Sequence, residues 1–188
     1  MNMPKETRAS WLMGLGCALL VLGTASMGFS KGTPVVIPTL TEAQQATLIF
    51  MHEEEKVARD VYLHLYELWG DVIFSNIAQS EQQHMDALSR LMVKYGVADP
   101  ASGLPVGVFQ NSDLQALYDA LILQGEASRS DACEVGVLIE ETDIADLDAA
   151  IQGSTTQDTI TVYGNLRAGS YKHLSAFTAY LAVLESVL

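Results

Sequence analysis

Residues 77–88 read IAQSEQQHMDAL and set Glu81 and His84 three apart inside a run whose apolar residues repeat at helical spacing. Side chains three and four apart share one face of a helix. That face continues from Phe74 and Ile77 through Glu81 and His84 to Leu88, Leu91 and Tyr95. A packing face therefore carries an oxygen donor and a nitrogen donor at its middle. Partners at the same level of other helices would make the interruption a ligand set rather than a tolerated defect.

The neighbouring segments have the same period. From Thr41 the pattern is helical, with Thr41 placed as N-cap ahead of EAQQ and Gly70 as the stop. The spacing predicts long helices over about 41–69, 72–95, 129–151 and 157–187, and a short one over 112–125 with Ser112 as cap and Gly125 as stop. The segment 97–111 is rich in Gly and Pro and reads as a connection. No strand-like alternation and no internal repeat is present, so the class is all-α, a four-helix bundle. Tight joints make the first and second long helices antiparallel, and likewise the third and fourth. The long crossover between the second and third, which carries the short helix, is long enough to leave those two parallel.

Each long helix has an apolar seam with a polar middle. The first runs Leu48, Met51, Glu55, Ala58, Tyr62, Leu65, Trp69, and the third Cys133, Val137, Glu140, Ile144, Leu147, Ile151. The fourth runs Tyr163, Leu166, Ser170, His173, Phe177, Tyr180, Leu184. Three glutamates and two histidines thus gather at one level of four helices. Burying an isolated carboxylate costs several kcal/mol, so such a cluster needs counter-charge. Bound cations supply it, and carboxylate oxygen with imidazole nitrogen suits iron, manganese or zinc. A metal-free alternative has protonated His84 and His173 paired with the glutamates. The register is uneven at one joint: fifteen residues separate Glu55 from Gly70 but only eleven separate Gly70 from Glu81. At ~1.5 Å per residue, roughly 6 Å must be absorbed by the turn or by tilt, and Glu54 in place of Glu55 would enlarge the mismatch.

The remaining candidates have ordinary readings. His52 and His64 fall off the seams and are expected at the surface. Tyr62 and Tyr163 are placed to lie beside the centre or simply to pack. Cys133 reads as a small core residue, and Met51, Met85 and Met92 as core filler.

The chain has 188 residues, enough for one domain with a real core, and a net charge of −13 with a pI near 4.5. An acidic surface repels phosphate backbones and argues against nucleic acid or anionic lipid partners. Residues 1–30 read as a secretory signal peptide: Lys5 and Arg8, an uncharged apolar stretch, then the small residues Gly23, Thr24, Ala25, Ser26 and Gly28. This predicts an exported protein, periplasmic or extracellular, with no membrane span after cleavage. The alternative is an anchor formed by the uncleaved leader. A lipoprotein would need cleavage at Cys17, which too few apolar residues precede. Loss of the leader removes Lys5, Arg8 and Glu6, takes the charge from −13 to −14, and leaves Cys133 without a disulfide partner. Residues 31–40 hold two prolines and read as a linker, a tether or free end rather than a packed element, which leaves 41–188 as the bundle domain.

Local sequences add a resemblance. EKVARDVY (55–62) resembles the first-helix motif of ferritins and rubrerythrins, IFSNIAQSEQQH (73–84) looks like the rubrerythrin second helix, and the stretch 40–185, with IEETDIADL and NLRAGSYKHLSAF, resembles a ferritin-like family of unknown function. The resemblance implies a ferritin-like bundle whose Glu55, Glu81, His84, Glu140 and His173 hold two iron ions, with manganese or zinc as alternatives. It also implies oxidation of ferrous iron or a small reductant by oxygen or peroxide. One position departs from the pattern. Where the fourth helix should carry the Glu of Glu-x-x-His, this chain has Ser170 in SYKH. Asp143, one turn beyond Glu140, is placed to compensate, and Glu141 less well. Without compensation the alternative is a non-catalytic module that binds one metal or serves as an interaction scaffold. Assembly into a homo-oligomer is left open.

Overall fold

The structure, a computed structural model, describes residues 39–186. These form five helices and no strand: α1 (Glu42–Trp69), α2 (Val72–Tyr95), α3 (Ser112–Gly125), α4 (Arg129–Gly153) and α5 (Gln157–Ser186). The leader over 1–30 and most of the linker over 31–40 lie outside the described residues. The end of the linker departs from expectation, because Leu40 is buried among Leu48, Leu91 and Tyr163 rather than free.

Local chemistry sets the helix ends. Thr41 and Gln44 form a reciprocal capping box at the start of α1. Gly70, at φ 73°, takes the left-handed conformation that glycine adopts without strain and returns its N–H to Tyr66 O at 2.8 Å. The start of α3 corrects the expected cap. Asn111, not Ser112, accepts from the N–H groups of Asp113 and Leu114, and Ser112 is the first helical residue.

Hydrogen bonds between helix ends fix the topology. Arg129 donates to Trp69 O at 2.9 Å, which brings the end of α1 to the start of α4, while Gln44 donates to Gly153 O at 3.0 Å at the opposite end. Lys94 and Tyr95 at the end of α2 both bond Asp158 at the start of α5. Helices α1 and α4 therefore run antiparallel, and α2 and α4 run parallel. Helix α1 packs on α2 and α4, α5 packs on the same two, and α3 lies outside against α1 and α4.

The interior is divided along its length. One apolar core holds Val61, Tyr62, Leu65, Phe74, Cys133 and Phe177, and the other holds Leu48, Met51, Leu88, Leu91, Leu147 and Leu166. Between them Glu55, Glu81, Glu140, Asp143, Ser170 and His173 are buried in a polar layer. Consecutive residues of a helix point about 100° apart, so the run Glu53–Glu54–Glu55 faces three ways. Glu55 enters the layer, and Glu53 accepts the N–H groups of Gln110 and Asn111 in the crossover. Lys56, also buried, donates to Asp60, Pro105 O and Val108 O at 2.6, 2.9 and 3.1 Å, and so ties the crossover to α1.

Candidate metal centre

The polar layer brings together all six side chains singled out in the sequence. Helix α1 supplies Glu55, α2 supplies Glu81 and His84, α4 supplies Glu140 and Asp143, and α5 supplies His173. The donor atoms of five of them, all but Asp143, form two overlapping groups, Glu55–Glu81–His84 and Glu81–Glu140–His173, with the atoms of each group within 4.8 Å of one another. Glu81 belongs to both. Its Oε2 lies 2.7 Å from His84 Nδ1 and its Oε1 lies 2.8 Å from His173 Nδ1. Glu55 Oε2 stands 3.1 Å from His84 Nδ1, and Glu140 Oε2 stands 3.5 Å from His173 Nδ1.

Both imidazoles point Nδ1 inward, and their surroundings keep them so. The outer nitrogen of His173, Nε2, meets Ser80 Oγ at 3.0 Å. The outer nitrogen of His84 lies against Gly169, where a Cβ would stand 2.7 Å from Nε2. Only glycine leaves that space. The two rings stack with centroids 5.7 Å apart. Tyr62 donates to Glu140 Oε1 at 2.7 Å, and its ring, with Phe74 and Phe177, closes one end of the layer. Ser170 donates to Asp143 Oδ2 at 2.5 Å. The serine that replaces the expected glutamate thus holds a carboxylate delivered from α4.

Several buried polar atoms lack hydrogen-bond partners. Glu55 Oε1, Glu81 Oε1, Asp143 Oδ1 and His173 Nδ1 are among them. Glu81 Oε1 and His173 Nδ1 approach to 2.8 Å without hydrogen-bond alignment. Buried polar atoms are nearly always satisfied, so a cluster of unpaired ones needs a physical reason.

Charge is crowded in the layer. Burial raises the Glu55 carboxyl well above its usual range, and the neighbouring Asp143 and Glu81 add to this. Burial also raises Asp143 to about 8 and Glu140 to about 7, although Ser170 and His173 respectively oppose the shift. For Glu81 burial acts upward too, but the close approach of the His173 and His84 imidazoles outweighs it and holds the group at about 2. Burial disfavours the charged imidazole of His173, yet Glu140 and Glu81 lift it to about 9. His84 is raised in the same way, burial being overcome by Glu81. Free of cations, the layer thus holds protonated histidines against an ionised Glu81, with protons on other carboxyls. Each proton occupies a place that a cation would take.

Some expectations are corrected. His52 is buried, not at the surface; its Nε2 meets Ser89 Oγ at 3.0 Å and its Nδ1 lies 3.7 Å from Asp99. Tyr163 does not flank the centre, because it packs beside Leu40 and Leu166 in the farther core. Glu141 is exposed, so Asp143 is the acid that turns inward from α4. Glu54, disfavoured by register as a seam residue, is nonetheless buried, and so is Asp146, which the seams leave out. The spacing of Glu140, Asp143 and Asp146, three apart on one helix face, was the available signal.

Comparison with known proteins supplies kinship. The family described as uncharacterized protein domain DUF2202 matches residues 44–185. The uncharacterized protein MJ0754 of Methanocaldococcus jannaschii is 46% identical over 142 residues, which cover 76% of this chain and 77% of that protein. The crystal structure of hypothetical protein MJ0754 from Methanococcus jannaschii DSM 2661 is similar with a TM-score of 0.78 at 43% identity, covering 81% of this chain and 87% of the other.

Proposed function

The chain belongs to the DUF2202 family, and we propose that it is an exported, ferritin-like protein whose polar layer holds two metal ions, iron in the first place, with manganese or zinc as alternatives. One observation carries the reading: Glu81 directs one oxygen toward each of two histidines while Glu55 Oε1, Asp143 Oδ1 and His173 Nδ1, buried around it, lack hydrogen-bond partners. Glu55, Glu81 and His84 would hold one ion, and Glu81, Glu140 and His173 the other. Asp143 supplies the further carboxylate that Ser170 lacks. The pattern of residues 1–30 supports export.

A bound pair of redox-active ions would supply Lewis acidity and would carry electrons from ferrous iron or a small reductant to oxygen or peroxide. The chain's own part is positional. Tyr62 holds Glu140, Ser170 holds Asp143, and Ser80 occupies the outer nitrogen of His173, so that Nδ1 remains the inward donor. The Tyr62–Phe74–Phe177 cluster excludes water from one end. His84 and His173 retain 12% and 11% side-chain exposure, so the protons that cations displace leave on the histidine side.

Metal analysis of protein made in an iron-replete host tests the reading. Two ions per chain and oxygen uptake with ferrous iron are expected. No bound metal, with melting unchanged by a chelator, would remove it. Ser170 favours a second reading, a non-catalytic bundle that holds one ion, and one ion per chain without oxygen uptake would select it.

A further inference from the structure

Beside the centre is a second set of acids that the proposed two-metal site does not use. Glu54 on α1 and Asp146 on α4 face each other within hydrogen-bonding reach, and Asp143 neighbours Glu54. Glu54 is 7% exposed, Asp146 3% and Asp143 6%, and each has an oxygen, Oε2, Oδ2 and Oδ1 respectively, with no hydrogen-bond partner. Three unpartnered carboxyl oxygens so deeply buried are costly unless something charged meets them. Glu54 also lines a cavity of about 90 Å³ between α1 and α3, together with Phe50, Asn111, Asp113, Leu114 and Leu117. Asp113 is exposed at this cavity, while Glu54 is buried in it.

We propose that this cavity is a transit site for a divalent cation, which Asp113 attracts, Glu54 and Asp146 bind briefly, and Asp143 passes to the centre. The inference rests on the two-metal reading above and adds a route and three residues to it. The start of α3 would ordinarily repel a cation through its free N–H groups. Here Asn111 Oδ1 accepts from the N–H groups of Asp113 and Leu114, and Asp113 places a carboxylate in the first turn. The step is an exchange without redox change, in which the cation passes between buried carboxyl oxygens that lack hydrogen-bond partners, Glu54 Oε2, Asp146 Oδ2 and Asp143 Oδ1. Lys56, Asp60 and Glu53 tie the crossover to α1 and so hold the outer wall of the cavity in place.

Stopped-flow mixing of metal-free protein with Co(II), followed by its visible absorbance, measures uptake and final stoichiometry separately. Glu54→Gln and Asp146→Asn are expected to slow uptake about tenfold, the scale of electrostatic focusing, with two Co(II) per chain still reached. Leu117→Trp narrows the cavity without touching a carboxylate and should slow uptake as well. Unchanged rates in both Glu54→Gln and Leu117→Trp would overturn the transit site alone. So would a reduced final stoichiometry in Glu54→Gln, because Glu54 would then be a permanent ligand. A wild-type chain that takes up no Co(II) would overturn the two-metal reading and the route with it.

Discussion

The halves of the polar layer are built from similar pieces in different ways. In the α1–α2 half, Glu55 faces a Glu-x-x-His pair on the neighbouring helix, and Glu81 meets His84 from its own helix at 2.7 Å. In the α4–α5 half the matching pair is Ser170-x-x-His173, and the carboxylate comes from Asp143 across the helix interface, held by Ser170 at 2.5 Å. Where the first half uses one side chain, the second uses a hydroxyl and a shorter acid on another helix. Aspartate reaches less far than glutamate, and the tight Ser170–Asp143 bond makes up the distance. Like chemistry is thus reached by unlike routes, and the halves should answer differently to perturbation.

The largest effect is expected where the halves meet. Glu81→Gln removes the carboxylate that faces both histidines and should abolish binding of both metal ions, as read by metal analysis. In the metal-free protein it leaves two imidazoliums short of a buried counter-charge, a loss of about 3–5 kcal/mol measurable by urea unfolding. A variant that retains one ion would show the halves to be independent.

Both halves should contribute to the pH dependence of the metal-free protein, because Glu55 and His84 are raised as well, and the α4–α5 half sets its window. In the fold Asp143 keeps its proton to about 8 against an ordinary 3.8, Glu140 to about 7 against 4.5, and His173 to about 9 against 6.5. The folded chain therefore holds more protons than the unfolded one between these values. The stability these groups contribute is complete below their unfolded values, declines above them at about 1.4 kcal/mol per pH unit for each proton, and is gone once pH has risen through the folded values of about 7 to 9. Glu81, held at about 2, acts in the opposite sense, and its contribution is lost only as pH falls toward that value. Urea midpoints should fall from pH 6 to pH 9 without metal, and Asp143→Asn should flatten the slope. With a divalent cation bound, the slope should vanish or reverse. A flat metal-free profile would contradict this account.

Ser170→Glu probes the difference between halves directly. Ser170 is fully buried against Asp143, so the longer acid alone should overpack the layer and cost about 1–3 kcal/mol. Paired with Asp143→Ser, the change exchanges the two roles and should recover both stability and two bound ions. Failure of the pair to improve on Ser170→Glu would mean that Asp143 is not the substitute for the missing glutamate.

The smallest perturbation is Gly169→Ala. At an unconstrained helix position this change stabilises by about 0.5–1 kcal/mol. Here the added Cβ would stand 2.7 Å from His84 Nε2 and must displace the ring. Affinity at the α1–α2 position should fall by about tenfold, the scale of a displaced ligand support, with the α4–α5 position little changed. Equal weakening of both would show the stacked rings moving together.

Much of this organisation is legible in the sequence. Apolar seams of period 3.5, broken at one level by Glu55, Glu81, Glu140 and His173, locate four helices and the layer they share. Gly70 and the Thr41 capping box mark their ends because those signals act within a few residues. Other features could not be read so easily. His52 lies off its seam yet is covered by the connection bearing Asp99, and periodicity says nothing about what a crossover will bury. Glu53, Glu54, Lys56 and Asp60 look like a solvated charged run, but α4 and the crossover close over them.

Helix number, the seam of each helix and the level of the polar layer follow from local periodicity, since one residue's face is set by its neighbours along the same helix. Only tertiary packing decided that Glu81 meets two histidines, that Ser170 donates to Asp143, and that Glu54 and Asp146 face each other beside the centre. These relations depend on the rotation and spacing of helices brought together from distant parts of the chain. A burial pattern indicates that a side chain points inward; the distance to its partner is set by how the helices pack.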